Sequence, residues 1–127
     1  MARAPLVAQM EDVPEADRLE GFPHPRMTAA LCGHAAAEAA FAEALSSNIH
    51  HHAWLITGPP GSGRSNLAFR FAAALIARKP EDRDRVFEQV RARTHPDLGV
   101  LTTQKLLIDI KAAREIVTTA HYSPAEG

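Results

Sequence analysis

The sequence predicts an α/β fold, and three observations carry that prediction. A short apolar run, AWLIT at residues 53 to 57, leads into a glycine-rich loop, GPPGSGRS at residues 58 to 65. That loop opens directly into an apolar helical pattern beginning at Arg64. Beyond a charged stretch, a second short apolar run, LGVLTT at residues 98 to 103, precedes another helical pattern. Strand-like and helix-like segments alternate, the sequence mark of parallel strands flanked by helices.

Each element follows from its residues. Residues 1 to 26 hold four prolines, scattered charge and little apolar periodicity, which predicts a flexible N-terminal leader ahead of a domain spanning residues 27 to 127. After Gly33, the run HAAAEAAFAEAL is rich in the strongest helix former and predicts an amphipathic helix. Its apolar face is Ala37, Phe41 and Leu45, with Glu38 turned outward. Residues 50 to 57, bounded by a Gly-Pro pair, read as a buried strand at their apolar end. Residues 64 to 78 predict a helix with two apolar rows, Leu67, Phe71 and Leu75 beside Ala68, Ala72 and Ile76, a band wide enough to pack on a sheet. KPED at 79 to 82 breaks the pattern. Residues 83 to 93 predict a more exposed helix with Val86, Phe87 and Val90 inward, ended by Thr94-His95-Pro96 because a residue before proline is pushed out of the helical region. Residues 98 to 103 read as a strand, and Asp109 stands where it would cap a last helix over residues 110 to 120.

Composition sets bounds on function. The chain has 127 residues, about the size of one domain, and its 46% hydrophobic and 23% charged residues are those of a globular protein. A net charge of −1 gives no basic excess for neutralising a nucleic-acid backbone. The single cysteine, Cys32, excludes a disulfide framework or a thiolate zinc cluster within the chain, so no zinc is expected, and its apolar neighbours predict a buried, inert thiol. The apolar stretch from residue 67 to 77 is interrupted by Arg70 and too short to span a bilayer. Glu11, Asp12, Glu15 and Asp17 occupy the place where an export signal would need a basic start and an apolar middle, which predicts a cytoplasmic protein.

The chemistry-bearing motif is the loop. A phosphate-binding loop reads Gly, four residues, Gly, Lys, then Ser or Thr, and here Gly58, Pro59, Pro60, Gly61, Ser62, Gly63, Arg64 and Ser65 fill those places, with Asn66 next on the helix. Glycines let backbone N–H groups turn inward around an anion, the helix adds its positive N-terminal end, and the Ser65 hydroxyl is of the type that ligates magnesium on a bound nucleotide. Arg64 breaks the pattern. Lysine brings a compact ammonium to the outer phosphates, whereas the planar guanidinium is bulkier and does not substitute freely at a crowded site. Nor does any run of four aliphatic residues ending in Asp-Asp or Asp-Glu supply a magnesium carboxylate; Leu106-Leu-Ile-Asp109 is short and better read as a helix cap. The loop therefore predicts weak or vestigial binding of ATP with magnesium and no intrinsic catalysis.

Two other motifs point elsewhere and are set aside on geometry. His50, His51 and His52 alternate faces along a strand and cannot converge on one ion. His95-Pro96-Asp97 matches the tripeptide of J-domain co-chaperones, but there it sits between two helices, and here it leads into an apolar strand. The mixed charges of residues 78 to 93 suit a solvated helix face.

The ordered segments resemble the N-terminal part of delta-prime-type subunits of the bacterial DNA polymerase III clamp loader, which are AAA+ proteins. The matching pieces are HPR at 24 to 26, LCGH at 31 to 34, HAWLITG at 52 to 58, LAFRF at 67 to 71, HPDL at 95 to 98, IDI at 108 to 110 and SPAEG at 123 to 127. The resemblance covers residues 22 to 127. It implies a subunit that helps hold the loader ring together while sliding clamps are placed on primed DNA, with other loader subunits as direct partners and no membrane. It also implies that Arg64 marks an ATPase-weak member. The gamma/tau-type loader ATPase is the near alternative, but usually carries zinc-binding cysteines that are absent between Arg78 and Asp97. A small P-loop kinase or ATPase is the other, and should show a substrate-binding acidic motif and an arginine-rich lid. By this resemblance, the magnesium carboxylates, the lid and the collar would follow residue 127, so the chain is expected to be the first portion of a larger domain. On that expectation the apolar band of the Leu67 helix is left short of partners.

Overall fold

A computed structural model of the chain describes residues 18 to 28, 31 to 47, 51 to 102, 106 to 121 and 125. Residues 1 to 17 of the expected leader, His50, Thr103 and most of the closing SPAEG segment lie outside the described residues. Among the described residues there are four α-helices: α1 Ala35–Ser46, α2 Arg64–Ile76, α3 Arg83–Arg91 and α4 Ile110–Ala120, with 3-10 turns at Pro25–Met27 and Pro80–Asp82. Residues 53 to 58 and 98 to 102 are neither helical nor turned, and form no strand ladder with other described residues.

The helix ends depart from expectation by one or two residues, for local reasons. Helix α2 stops at Ile76 and not at residue 78, because Lys79 precedes Pro80 and takes an extended backbone, ψ 138°. Helix α3 stops at Arg91 and not at residue 93. There Arg93 turns left-handed, φ 57°, its N–H donates to the Val90 carbonyl at 3.1 Å and that of Thr94 donates to the Gln89 carbonyl at 2.9 Å, the paired bonds of a Schellman closure. Asp109 occupies the cap position of α4, but its side chain makes no capping bond.

The core is helix against helix. Ala73 of α2 and Ala77, the residue that caps its end, meet Val86 and Val90 of α3, and Phe69, Ile76, Phe87 and Leu98 close around them. The buried row of α2 and its C-terminal cap therefore runs Leu67, Ala73 and Ala77, while Leu75 and Ala68, assigned inward by periodicity, face out. Small residues decide the matter: two alanines one turn apart let α3 approach closely enough for both valines to vanish from solvent. The inward residues expected of α3, Val86, Phe87 and Val90, are the ones that pack.

Helix α1 joins through aromatic rings. Phe41 is buried and stacks on Phe71, centroids 4.0 Å apart and planes within 7°, and meets Trp54 edge to face at 5.4 Å. Glu38 does not simply look outward, since its carboxylate pairs with Arg70 of α2 at 3.3 Å.

The segment before α1 is tied down as well. Residues 24 to 27, whose first three were assigned to the leader, are held at the C-terminal end of α3. The Arg26 Nε–H donates to the Arg91 carbonyl at 2.9 Å, and the Arg91 guanidinium donates back to the Met27 carbonyl at 3.2 Å. His24 is buried edge-on to Phe69 at 5.3 Å. Two His-Pro turns share one device: the Nδ1 of His24 accepts from the Arg26 N–H, and that of His95 accepts from the Asp97 N–H, both at 3.1 Å. The HPD tripeptide is thus a turn, with the Asp97 carboxylate accepting the Ala125 N–H at 2.7 Å.

Candidate functional site

The loop is built as a turn that feeds a helix. Pro60 and Gly61 are the central residues of a β-turn closed by the Ser62 N–H on the Pro59 carbonyl at 3.2 Å, and Gly61 takes φ 79°, the positive angle that a type II turn demands at its third residue. Gly63 caps α2 with φ 89°, and its carbonyl accepts the Leu67 N–H at 3.0 Å, the first bond of the helix. The amides of Arg64, Ser65 and Asn66 lie in the first turn, so no intrahelical carbonyl is available to them. The two prolines have no N–H, and that of Ser62 is spent in the turn. Any anion cradled here must be met by amides from Gly61 and from residue 63 onward.

Beside these amides lies a pocket of about 520 Å³, within the size range of small-molecule sites. One wall is Gly61, Gly63, Arg64, Ser65 and Asn66; the other is Leu19, Phe22, Pro23, Pro25 and Thr28. Of the nine residues expected to bind, five therefore line one pocket, while Gly58, Pro59, Pro60 and Ser62 shape the turn behind it. The Arg64 stem folds back along Gly58, where an added methyl would stand 3.6 Å from the Arg64 Cδ and 3.1 Å from the Ser62 hydroxyl oxygen. Among the described residues that line the pocket none is a carboxylate, and Ser65 is the one hydroxyl of α2 there.

Sequence reasoning missed the second wall, the tie from Asn66 to it, and the His34 side chain that braces the first. The amide of Asn66 donates to the Thr28 hydroxyl at 2.5 Å, pinning residue 28 to the start of α2. His34 at the start of α1 donates from Nε2 to the Ser62 carbonyl at 2.6 Å. A carbonyl can only accept, so this contact fixes the tautomer that carries its hydrogen on Nε2. A signal was available: Gly33-His34 immediately before an alanine-rich helix puts an unusual cap where Ser, Thr, Asp or Asn is preferred. Cys32, expected buried, is exposed. Its apolar neighbours in sequence do not cover it, because Gly33 at φ 82° turns the chain just beyond it. Among the described residues no group of three His, Cys, Asp or Glu is placed to hold a metal ion, and no helix is long and apolar enough to cross a membrane.

A family model described as DNA polymerase III, delta subunit, matches residues 33 to 127. The chain belongs to this family. Its function is accordingly related to the DNA polymerase III clamp loader and to DNA replication. Comparisons with curated proteins and with solved structures give no match.

Proposed function

We propose that the chain is a delta-prime-type clamp-loader subunit whose loop at residues 58 to 65 holds nucleotide phosphates weakly and does not split the nucleotide. Within this reading the domain is of the AAA+ α/β type, residues 53 to 57 and 98 to 102 are strands awaiting neighbours, and the work of the subunit is assembly. Its partners are the other loader subunits, and through them the sliding clamp and primed DNA, in the cytoplasm. The observation that carries the reading is a formed loop that lacks its lysine: amides at a helix N-terminus line a pocket of nucleotide size, but arginine stands at the lysine position. Binding needs the amides, and hydrolysis needs the compact ammonium that Arg64 replaces. If magnesium accompanies the nucleotide, Ser65 is the residue that would hold it, and the apolar wall of Leu19 and Phe22 suits a base.

Titration of ATP with magnesium against the native chain, Arg64→Lys and Arg64→Ala tests this. The expected result is weak binding by the native chain, tightened about tenfold by Arg64→Lys, with no turnover in any of the three. Submicromolar binding with turnover by the native chain would overturn the assembly reading.

A further inference from the structure

The loop is held in shape by a side chain that lies outside the pocket. His34 has a left-handed backbone, φ 60° and ψ 21°, a conformation unfavourable for a residue with a Cβ. Such an outlier persists where its surroundings fix it, and the fixing contact is the 2.6 Å bond from its Nε2–H to the Ser62 carbonyl. The fit is close from the other direction too. A Cβ added at Gly63 would stand 3.4 Å from the His34 Nε2, so the imidazole occupies the space beside the loop's last glycine.

The consequence follows from peptide geometry. In a trans peptide the carbonyl and the following N–H point to opposite sides. With the Ser62 carbonyl turned to His34, the N–H of Gly63 is turned away from it. Gly63 lines the pocket and His34 does not. We propose that His34 is a positioning residue for the phosphate loop: by holding the Ser62–Gly63 peptide in one orientation it presents the Gly63 N–H to an anion in the pocket. This rests, for the identity of the ligand, on the nucleotide reading above; the orientation of the peptide does not.

Three variants separate the roles of His34. Alanine removes the donor. Asparagine tolerates the left-handed backbone but is too short to reach Ser62, while glutamine reaches about as far as Nε2 and carries an N–H. The Gly63 amide signal of the full chain is read by proton–nitrogen correlation NMR, and Mg-ADP is then titrated by calorimetry. The expected result is a displaced Gly63 signal in His34→Ala and His34→Asn with the signals of α3 unmoved, a return toward the native position in His34→Gln, and Mg-ADP affinity lowered about fivefold to tenfold in the first two variants only. Should His34→Ala lose its fold, the Asn and Gln pair makes the same comparison. A Gly63 signal unmoved in the Asn variant, or displaced equally in the Gln variant, overturns the proposal. Absence of Mg-ADP uptake by the native chain would remove the nucleotide reading, and the Gly63 signal would still decide the role of His34.

Discussion

Helices α2 and α4 both carry helically spaced apolar residues, yet they end in opposite surroundings. Leu67 of α2 is 2% exposed and Ala73 is wholly buried, whereas Ile110 and Val117 of α4 are 68% and 58% exposed. The approach to α4 is more open still, with Leu107 80% exposed. The shortage of partners expected for the Leu67 helix shows at Leu75, 44% exposed, and is greater on α4 and its approach. What separates the two is supply of partners: α2 has α3 on one side, Phe41 of α1 on another and the 25 to 27 turn across its start, while among the described residues α4 sets Ile116 and Thr119 against Gly99. An apolar pattern gives a helix a face to bury, and only a neighbour of matching shape buries it.

The strongest way to break this contrast is to truncate a leucine on each side. Leu67→Ala should cost about 2–5 kcal/mol of stability and Leu107→Ala no more than about 0.5 kcal/mol. Urea unfolding followed by the fluorescence of Trp54, the sole tryptophan, measures both. Equal losses would mean that the exposed leucine is packed in solution, and the contrast would collapse. A subtler probe adds volume. Ala73→Leu inserts a side chain where α2 and α3 touch and should cost about 1–3 kcal/mol, whereas Ala113→Leu on the exposed face of α4 should be close to neutral, since the two residues differ little in helix propensity. The same denaturant series reads this pair, and a tolerated leucine at residue 73 would show that the interface can open.

Much of the helical framework was legible in the residues. Alanine content announced α1, the Gly-Pro loop announced the start of α2, and Val86, Phe87 and Val90 announced the inner face of α3. The side of α2 that packs was not legible, because periodicity favours the larger apolar residues, and the contact was decided by the smallness of Ala73 and Ala77. In the pocket, the wall made by the loop was written in a contiguous motif. The wall made by Leu19, Phe22 and Pro25 was not, since it stands some forty positions away in a proline-rich stretch whose composition reads as leader. The brace from His34 was hidden for the same reason: its meaning lies in a contact with residue 62, and nothing local to residue 34 specifies that partner.

The smallest effect concerns how α4 is held. Ile116 is half-buried, its Cδ1 lying 3.2 Å from where a Cβ on Gly99 would stand, so the bare backbone at residue 99 is what lets the isoleucine settle. A helix with so little buried area opens without the rest of the protein unfolding. Amide hydrogen exchange should therefore show α4 protected less than α2 and α3 in the native chain. Ile116→Ala removes the anchoring methylenes and should speed exchange across α4 about threefold to tenfold, equivalent to roughly 0.7–1.4 kcal/mol, while leaving the amides of Ala73, Ala77 and Val90 unchanged. If those core amides sped up by the same factor, α4 would be opening together with α2 and α3, and the two halves of the molecule would share one cooperative unit despite their unequal burial.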